Sequence, residues 1–207
     1  MDMQTYLLFV ATAAVLVLTP GPDTVLVLSR TLASGASAGL ATLAGTQAGN
    51  VVHAVLAGVG VSTVVLLFPV ALHALKVAGI AYLLVLAVQA WRAPATLALR
   101  PRAGGTVGRH FLQGLANNLA NPKMIVFFLA LFPQFVRPGQ GSLAVQSLVL
   151  GATLAAMALA WIGFVVLLVA RFRAAFVASP AFLRVVQRLA AATFVGLAAR
   201  LTLEDVP

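Results

Sequence analysis

Apolar residues fill whole stretches of this chain, and polar ones gather in the short segments between them. Six apolar stretches run at approximately 5–28, 41–66, 71–91, 111–135, 144–169 and 185–203. About 20 mostly apolar residues cross the hydrocarbon core of a bilayer as a helix, so the pattern predicts six membrane-spanning helices. Polar positions inside the stretches are few, and they cluster. The first cluster is LTPGPD at 18–23, two prolines, a glycine and a carboxylate set within the apolar run Tyr6 to Leu28.

Composition strengthens the membrane reading. Of 207 residues, 62% are hydrophobic and 8% charged, against roughly 25% charged in soluble domains. So little charge cannot cover a water-facing surface of this size. The formal charge of +9 would suggest nucleic acid in a soluble chain, but its distribution points elsewhere. Loops on one side hold Arg30, Arg92, Arg100, Arg102, Arg109, Arg171, Arg173, Arg184 and Arg188. The other side, with both termini, holds Lys76, Arg137 and Arg200, and Lys123 lies within the fourth stretch. Cationic loops stay cytoplasmic, and the aromatics that interleave cations in nucleic-acid grooves are missing from these loops, so no nucleic-acid partner is expected. The absence of cysteine rules out disulfide and thiolate chemistry. The start, MDMQTY, is acidic and the apolar run behind it is too long for a cleaved signal peptide, so the first span is expected to persist in the mature protein.

The chain reads as a single transmembrane domain, 1–207, in two halves. Repeat one covers about 1–92, a Pro/Arg/Gly-rich cytoplasmic linker about 93–109, and repeat two about 110–203. Each half has three spans and breaks its first with proline at a similar depth, Pro20 and Pro22 in one and Asn121–Pro122 in the other. The third spans share a faint pattern, KVAGIAYLLVLA (76–87) against RLAAATFVGLAA (188–199). A three-span repeat must insert upside down the second time. Inverted repeats with interrupted helices at matching positions point to a transporter with its site near the midplane.

In lipid, a broken backbone survives only where protein or a water-filled cavity supplies hydrogen-bond partners. Pro20 and Pro22 remove two amide donors and free upstream carbonyls, which can bind an ammonium. The helix restarting beyond Pro22 presents N–H groups and a positive dipole end suited to an anion. Asp23 adds a carboxylate costing ~2.5–3.5 kcal/mol at the bilayer centre. It suits the cap of the second half-helix; a functional role, with or without capping, is the expectation. In the fourth span Gln113, Asn117 and Asn121 recur at i, i+4 and i+8, which places three amides on one helical face. Lys123 follows the Asn121–Pro122 break, where pairing with Asp23 or a substrate carboxylate is expected over snorkelling to the interface. In the second span Thr42, Thr46, Asn50 and His53 form a stripe about 80° wide, beside Gly45 and Gly49, a small-xxx-small face for close helix packing. His53 is open between a neutral, hydrogen-bonded histidine and a proton-handling one.

Residues 35–39, GASAG, match the nucleophile-elbow pattern, but that motif works only on a strand–turn–helix with acid and histidine partners downstream, and here it falls in a loop after a span. The chain's acids are Asp2, Asp23, Glu204 and Asp205. Carboxylate, imidazole or thiolate metal sites need several ligands together, and only Asp23 and His53 are credible inside the membrane. Neither a metal site nor any other cofactor is expected, and the protein is not expected to be an enzyme.

At this point the motifs match a family. TPGPD (19–23), SRTLASGASAGLATLAGTQAGNVVH (29–53), AGIAYLLVLAVQAWR (78–92), NPKMIVFFLALFPQFV (121–136) and the weaker GLAARL (196–201) resemble the LysE/RhtB family of bacterial amino-acid exporters, in order and over nearly the whole chain. The resemblance implies an inner-membrane exporter of amino acids driven by the proton gradient, with Pro20, Gly21, Pro22, Asn121, Pro122 and Lys123 as signature positions. Asn50 stands where many relatives carry an acid, which puts in doubt any coupling scheme or basic-substrate preference resting on an acid there.

The expectation is therefore an all-α integral membrane protein of six transmembrane helices, arranged as two inverted three-helix repeats with proline-broken first helices. It would export a small, neutral amino acid or close derivative by alternating access, proton-coupled, with an exporter of basic amino acids or a non-transporting scaffold as alternatives. The site would comprise Thr19, Pro20, Gly21, Pro22, Asp23, Thr46, Asn50, Gln113, Asn117, Asn121, Pro122 and Lys123, with Asp23 and His53 as candidates for proton coupling. The substrate carboxylate would meet Lys123 and a half-helix N-terminus, and its ammonium Asp23 and the freed carbonyls. The partners are the amino acid, protons and the lipid bilayer, and a homo-oligomer is compatible with this reading. On the cation imbalance both termini lie outside the cytoplasm. A reporter active only in the cytoplasm, fused after Pro207, is expected to stay silent; strong activity would mean an odd number of crossings or an inverted chain.

Overall fold

The computed structural model describes residues 1–67, 104–137 and 139–172, with scattered helical positions between 77 and 92 and between 184 and 202. The expected third and sixth spans, 71–91 and 185–203, lie largely outside the described residues, as does most of the linker 93–109. Described residues are helical throughout, with no strand among them. In order they form α1 (Met3–Leu18), α2 (Pro22–Ser34), α3 (Ala36–Leu67), α4 (Val107–Leu119), α5 (Pro122–Val126), a π-helical turn (Phe127–Leu131), a 3-10 turn (Phe132–Phe135) and α6 (Leu143–Arg171).

These elements follow four of the expected spans. α1 and α2 are one apolar run bent by 49° at its break, and α4 with the segment Pro122–Phe135 is another bent by 50°. α6 is long and apolar enough to cross a membrane by itself, as each bent pair is when taken as one span. α3 covers the expected span 41–66 as a single helix of 32 residues. It packs most extensively against α4, then α6, then α2. Between α2 and α3 the chain turns on Gly35 alone, whose φ of 87° is a conformation that L side chains rarely adopt.

Beside an apolar core, many polar side chains are buried and many large apolar ones are exposed. Thr42, Thr46, Gln47, Asn50, Asn118, Asn121 and Lys123 are buried, while Val55, Leu56, Leu159, Phe164 and Leu167 are exposed. Polar groups inside and large apolar ones outside are what a lipid solvent requires.

Near the start of α1, Asp2 caps the helix by accepting from the Thr5 N–H at 2.7 Å. The Thr5 backbone and hydroxyl bonds hold the Asp2 carboxyl well below the usual range, at about 2. The Asp2 N–H donates to Gln140 Oε1 at 2.8 Å, and buried Gln146 ties the same loop through the Arg137 carbonyl and amide, both at 3.0 Å. The N-terminus and the loop before α6 therefore lie together at one end.

One aromatic cluster joins the first broken run to the second. Phe9 of α1 meets Phe135 at 5.3 Å and Phe132 at 6.0 Å, both edge to face. Pro133 has no N–H to offer the Leu129 carbonyl, and the helix before it widens: the Phe132 N–H bonds the Phe127 carbonyl, five residues back. This wider turn swings Phe127, Phe128 and Phe132 into the core, all at most 2% exposed.

The Gly45–Gly49 face packs on α4, as its spacing suggests. A Cβ at Gly45 would strike the Phe111 backbone carbonyl, and one at Gly49 the Asn118 side chain. Backbone cannot yield as a flexible side chain can, so Gly45→Ala is expected to cost ~1–3 kcal/mol through overpacking and to lower the melting temperature in detergent. Gly108→Ala, which meets open space, should leave it unchanged. Equal melting of the two variants would show that α3 and α4 do not approach this closely.

Candidate functional site

The site begins with a backbone problem. In an α-helix the carbonyl of residue i bonds the N–H of residue i+4. The Leu16 carbonyl would need an N–H from Pro20, and Leu18 one from Pro22; proline has none. The last regular bond of α1 runs from the Thr19 N–H to Val15 O at 3.0 Å. Beyond it the Lys123 ammonium takes over, donating to Leu16 O at 2.9 Å and Thr19 O at 2.8 Å. Lys123 is buried, 8% exposed, with its stem against Gly21. It does not snorkel. Of the two carbonyls freed by proline, the one at Leu16 is held by Lys123 and so is not open to a substrate ammonium.

The second break has a different local solution. α4 ends at Leu119, and Asn121 becomes the N-cap of α5, its side chain accepting from the Lys123 N–H at 3.0 Å, with Pro122 in the first turn. Asn121 therefore does not continue the helical face of Gln113 and Asn117, because the bend resets the angular register. Gln113 stays apart from the site, its Oε1 buried without a hydrogen-bond partner.

Asp23 is not a cap. The N-cap of α2 is Gly21, with no side-chain capping bond, and Pro22 occupies its first turn. The carboxylate instead leaves its own helix and accepts from Asn117 Nδ2 at 2.6 Å and Asn118 Nδ2 at 2.8 Å. Asn118 also donates to Asn50 Oδ1 at 2.9 Å. From there Asn50 Nδ2 donates to Gln47 Oε1 at 2.7 Å, and Gln47 Nε2 to Thr46 Oγ1 at 3.0 Å. Thr46 ends the chain on the Leu43 carbonyl at 2.7 Å. Three helices, α2, α3 and α4, are thus joined by one line of amides that ends on a carboxylate.

Between these two constructions lies a cavity of about 40 Å³. Thr19, Gly21, Asp23, Thr24, Gln47, Asn50, Asn121 and Lys123 form its polar wall; Leu16, Val17, Met124, Leu154, Ala158 and Ile162 form the apolar one. Asp23 and Lys123 both line this space. Six expected site residues line it: Thr19, Gly21, Asp23, Asn50, Asn121 and Lys123. Asn117 and Thr46 act one bond or more behind it. Pro20, Pro22 and Pro122 are exposed and shape the site through the donors they lack. His53 sits behind Asn118, its Nε2 3.3 Å from the Asn118 carbonyl oxygen and its ring stacked on Phe128 at 5.2 Å. Gln47, Thr24 and Asn118 belong to the site and were not expected. The adjacent pair Asn117–Asn118 was the available signal for the last.

Comparison with known proteins identifies the family. A family model described as LysE type translocator matches residues 14–205. The homoserine/homoserine lactone efflux protein of Salmonella typhi is 39% identical over 154 residues, 74% of either chain. An uncharacterized membrane protein of Vibrio cholerae serotype O1 is 38% identical over 154 residues, 74% of this chain and 75% of its own. The leucine efflux protein of Salmonella choleraesuis is 29% identical over 198 residues, 95% of this chain and 93% of its own. No solved structure matches. The chain belongs to the LysE family of membrane translocators, which are transporters and not enzymes.

Proposed function

We propose that this protein exports a small neutral amino acid, or a close derivative, across the bacterial inner membrane by proton-coupled alternating access of two inverted three-helix repeats. The observation that carries the reading is the cavity at the two breaks, lined by one carboxylate and one ammonium, Asp23 and Lys123. A zwitterion brings one charge of each sign. Its ammonium is directed to Asp23, whose two amide bonds leave carboxylate lone pairs unused. Its carboxylate is directed to Lys123. A dibasic substrate would bring a second cation into a cavity whose described lining includes no second acid, and an uncompensated charge there is heavily penalised. The names of the relatives, a homoserine/homoserine lactone efflux protein and a leucine efflux protein, include two amino acids with uncharged side chains.

The similar bends of 49° and 50° support the inverted repeat, since each broken span brings its restart to the same cavity. Proton coupling rests on Asp23, the one carboxylate among the described residues that line the cavity. His53 touches the network only through the Asn118 backbone and is the weaker candidate. The termini are placed outside the cytoplasm on the cation imbalance of the loops.

Asp23→Asn tests the site. It removes the charge and sets an amide N–H₂ against the donors Asn117 and Asn118. The expected result is normal insertion with export reduced tenfold or more, and Asp23→Ala little worse. Near-normal export by the Asn variant would remove the carboxylate from the mechanism. Substrate class is tested by expression in cells poisoned with individual amino acids or dipeptides. Rescue from neutral ones is expected; rescue chiefly from lysine or arginine would refute the neutral-substrate reading.

A further inference from the structure

The polar wall of the cavity accounts for the charged ends of an amino acid and leaves its side chain unassigned. The apolar wall is shared by α1, α5 and α6, and α6 contributes three of its residues. Leu154, Ala158 and Ile162 of α6 follow one another at i, i+4 and i+8, and all three line the cavity. This spacing keeps them on one helical face. They are 1%, 3% and 7% exposed, so their positions are fixed by packing; Ala158 and Ile162 are embedded with Val27, Leu43 and Val166. None has a polar atom beyond the backbone. Ala158, the middle one, ends at its β-carbon, while Leu154 and Ile162 extend further on either side.

We infer that the Leu154–Ala158–Ile162 face of α6 is the side-chain subsite of the transporter, with Ala158 setting the length of aliphatic side chain accepted. The assignment rests on the amino-acid-exporter reading above and adds to it the residues that choose among neutral substrates. With the ammonium at Asp23 and the carboxylate at Lys123, the α-carbon lies between the two charges and its substituent is left to face α6. An apolar surface with no donor or acceptor favours an alkyl group over a charged terminus, which would be buried without a partner. Each methylene in such a pocket changes discrimination by about tenfold or more. The recess over Ala158 therefore limits chain length, and its flanks limit branching.

The full chain, reconstituted in proteoliposomes, tests this by counterflow with a homologous series: alanine, 2-aminobutyrate, norvaline and norleucine, with lysine as the charged member. Rates are compared as ratios to alanine, so reconstitution yield cancels. Ala158→Leu is expected to lower the norvaline-to-alanine ratio tenfold or more while alanine is still moved. Ile162→Ala is expected to raise the norleucine-to-alanine ratio by a similar factor. Should Ala158→Leu move nothing, Ile162→Ala and Leu154→Ala decide the matter by their ratios. Transport of the series by the unmodified protein with ratios unchanged in the variants would overturn the α6 assignment alone. Transport of lysine by the unmodified protein as fast as norvaline would overturn the apolar subsite. No counterflow of any amino acid by the unmodified protein would overturn the exporter reading, and this assignment with it.

Discussion

The hydrogen bonds from the Lys123 ammonium to the carbonyls of Leu16 and Thr19 are the condition for everything else at this site. A helix broken inside a membrane leaves acceptors that water would satisfy elsewhere, and each one left bare costs several kcal/mol. Pro20 makes the deficit certain, because it denies Leu16 its partner whatever the chain does next. A buried cation has the complementary deficit. Joining the two lets a lysine and a broken backbone persist in the same apolar surroundings at 2.8 and 2.9 Å. It also fixes where α5 must cross α1, and the edge-to-face contacts of Phe9 with Phe132 and Phe135 hold that crossing from the neighbouring turns.

Asp23 is stabilised differently. It is half-buried, and the donors that reach it are side-chain amides from α4 and not the amides of its own helix. Amides suit this position because they carry no charge, so they bind the carboxylate without cancelling it. Asn118 shares its N–H₂ between Asp23 and Asn50, and so passes the orientation of the carboxylate on to α3. The closeness this demands explains the small residues between α3 and α4: any side chain at Gly49 would press on Asn118 itself.

Much of the frame was legible in the sequence. The apolar stretches located α3 and α6 to within a few residues at their clear ends, and the prolines located both breaks. What lay beyond reach was set by the breaks themselves. Helical periodicity placed Asn121 with Gln113 and Asn117 only if α4 continued, and α4 stops at Leu119. Asp23 suited a cap because acids commonly cap, yet the Gly21–Pro22 pair starts α2 two residues too early for that role. Lys123 was placed inward on the equivalent depths of the two proline breaks, and it is buried. Its partners could not be read, because Leu16 lies 107 residues away and no local pattern encodes which helix crosses which. The widened turn before Pro133 had a cause visible in sequence, but its consequence, three phenylalanines turned into one core, needed the packed structure.

The two charged residues also tie the halves of the chain together in opposite directions. Asp23 belongs to the first half and is held by Asn117 and Asn118 of the second. Lys123 belongs to the second half and is held by Leu16 and Thr19 of the first. Each tie therefore depends on a charge that a zwitterion in the cavity would also seek. A ligand can shift an equilibrium between arrangements only through a difference in its affinity for them. A zwitterion drawing on Asp23 and Lys123 competes with both ties at once, while a neutral solute or a single ion would engage at most one. On the proposed function, two reciprocal ties would make the relative position of the two halves respond to a ligand carrying both charges at the spacing of an amino acid.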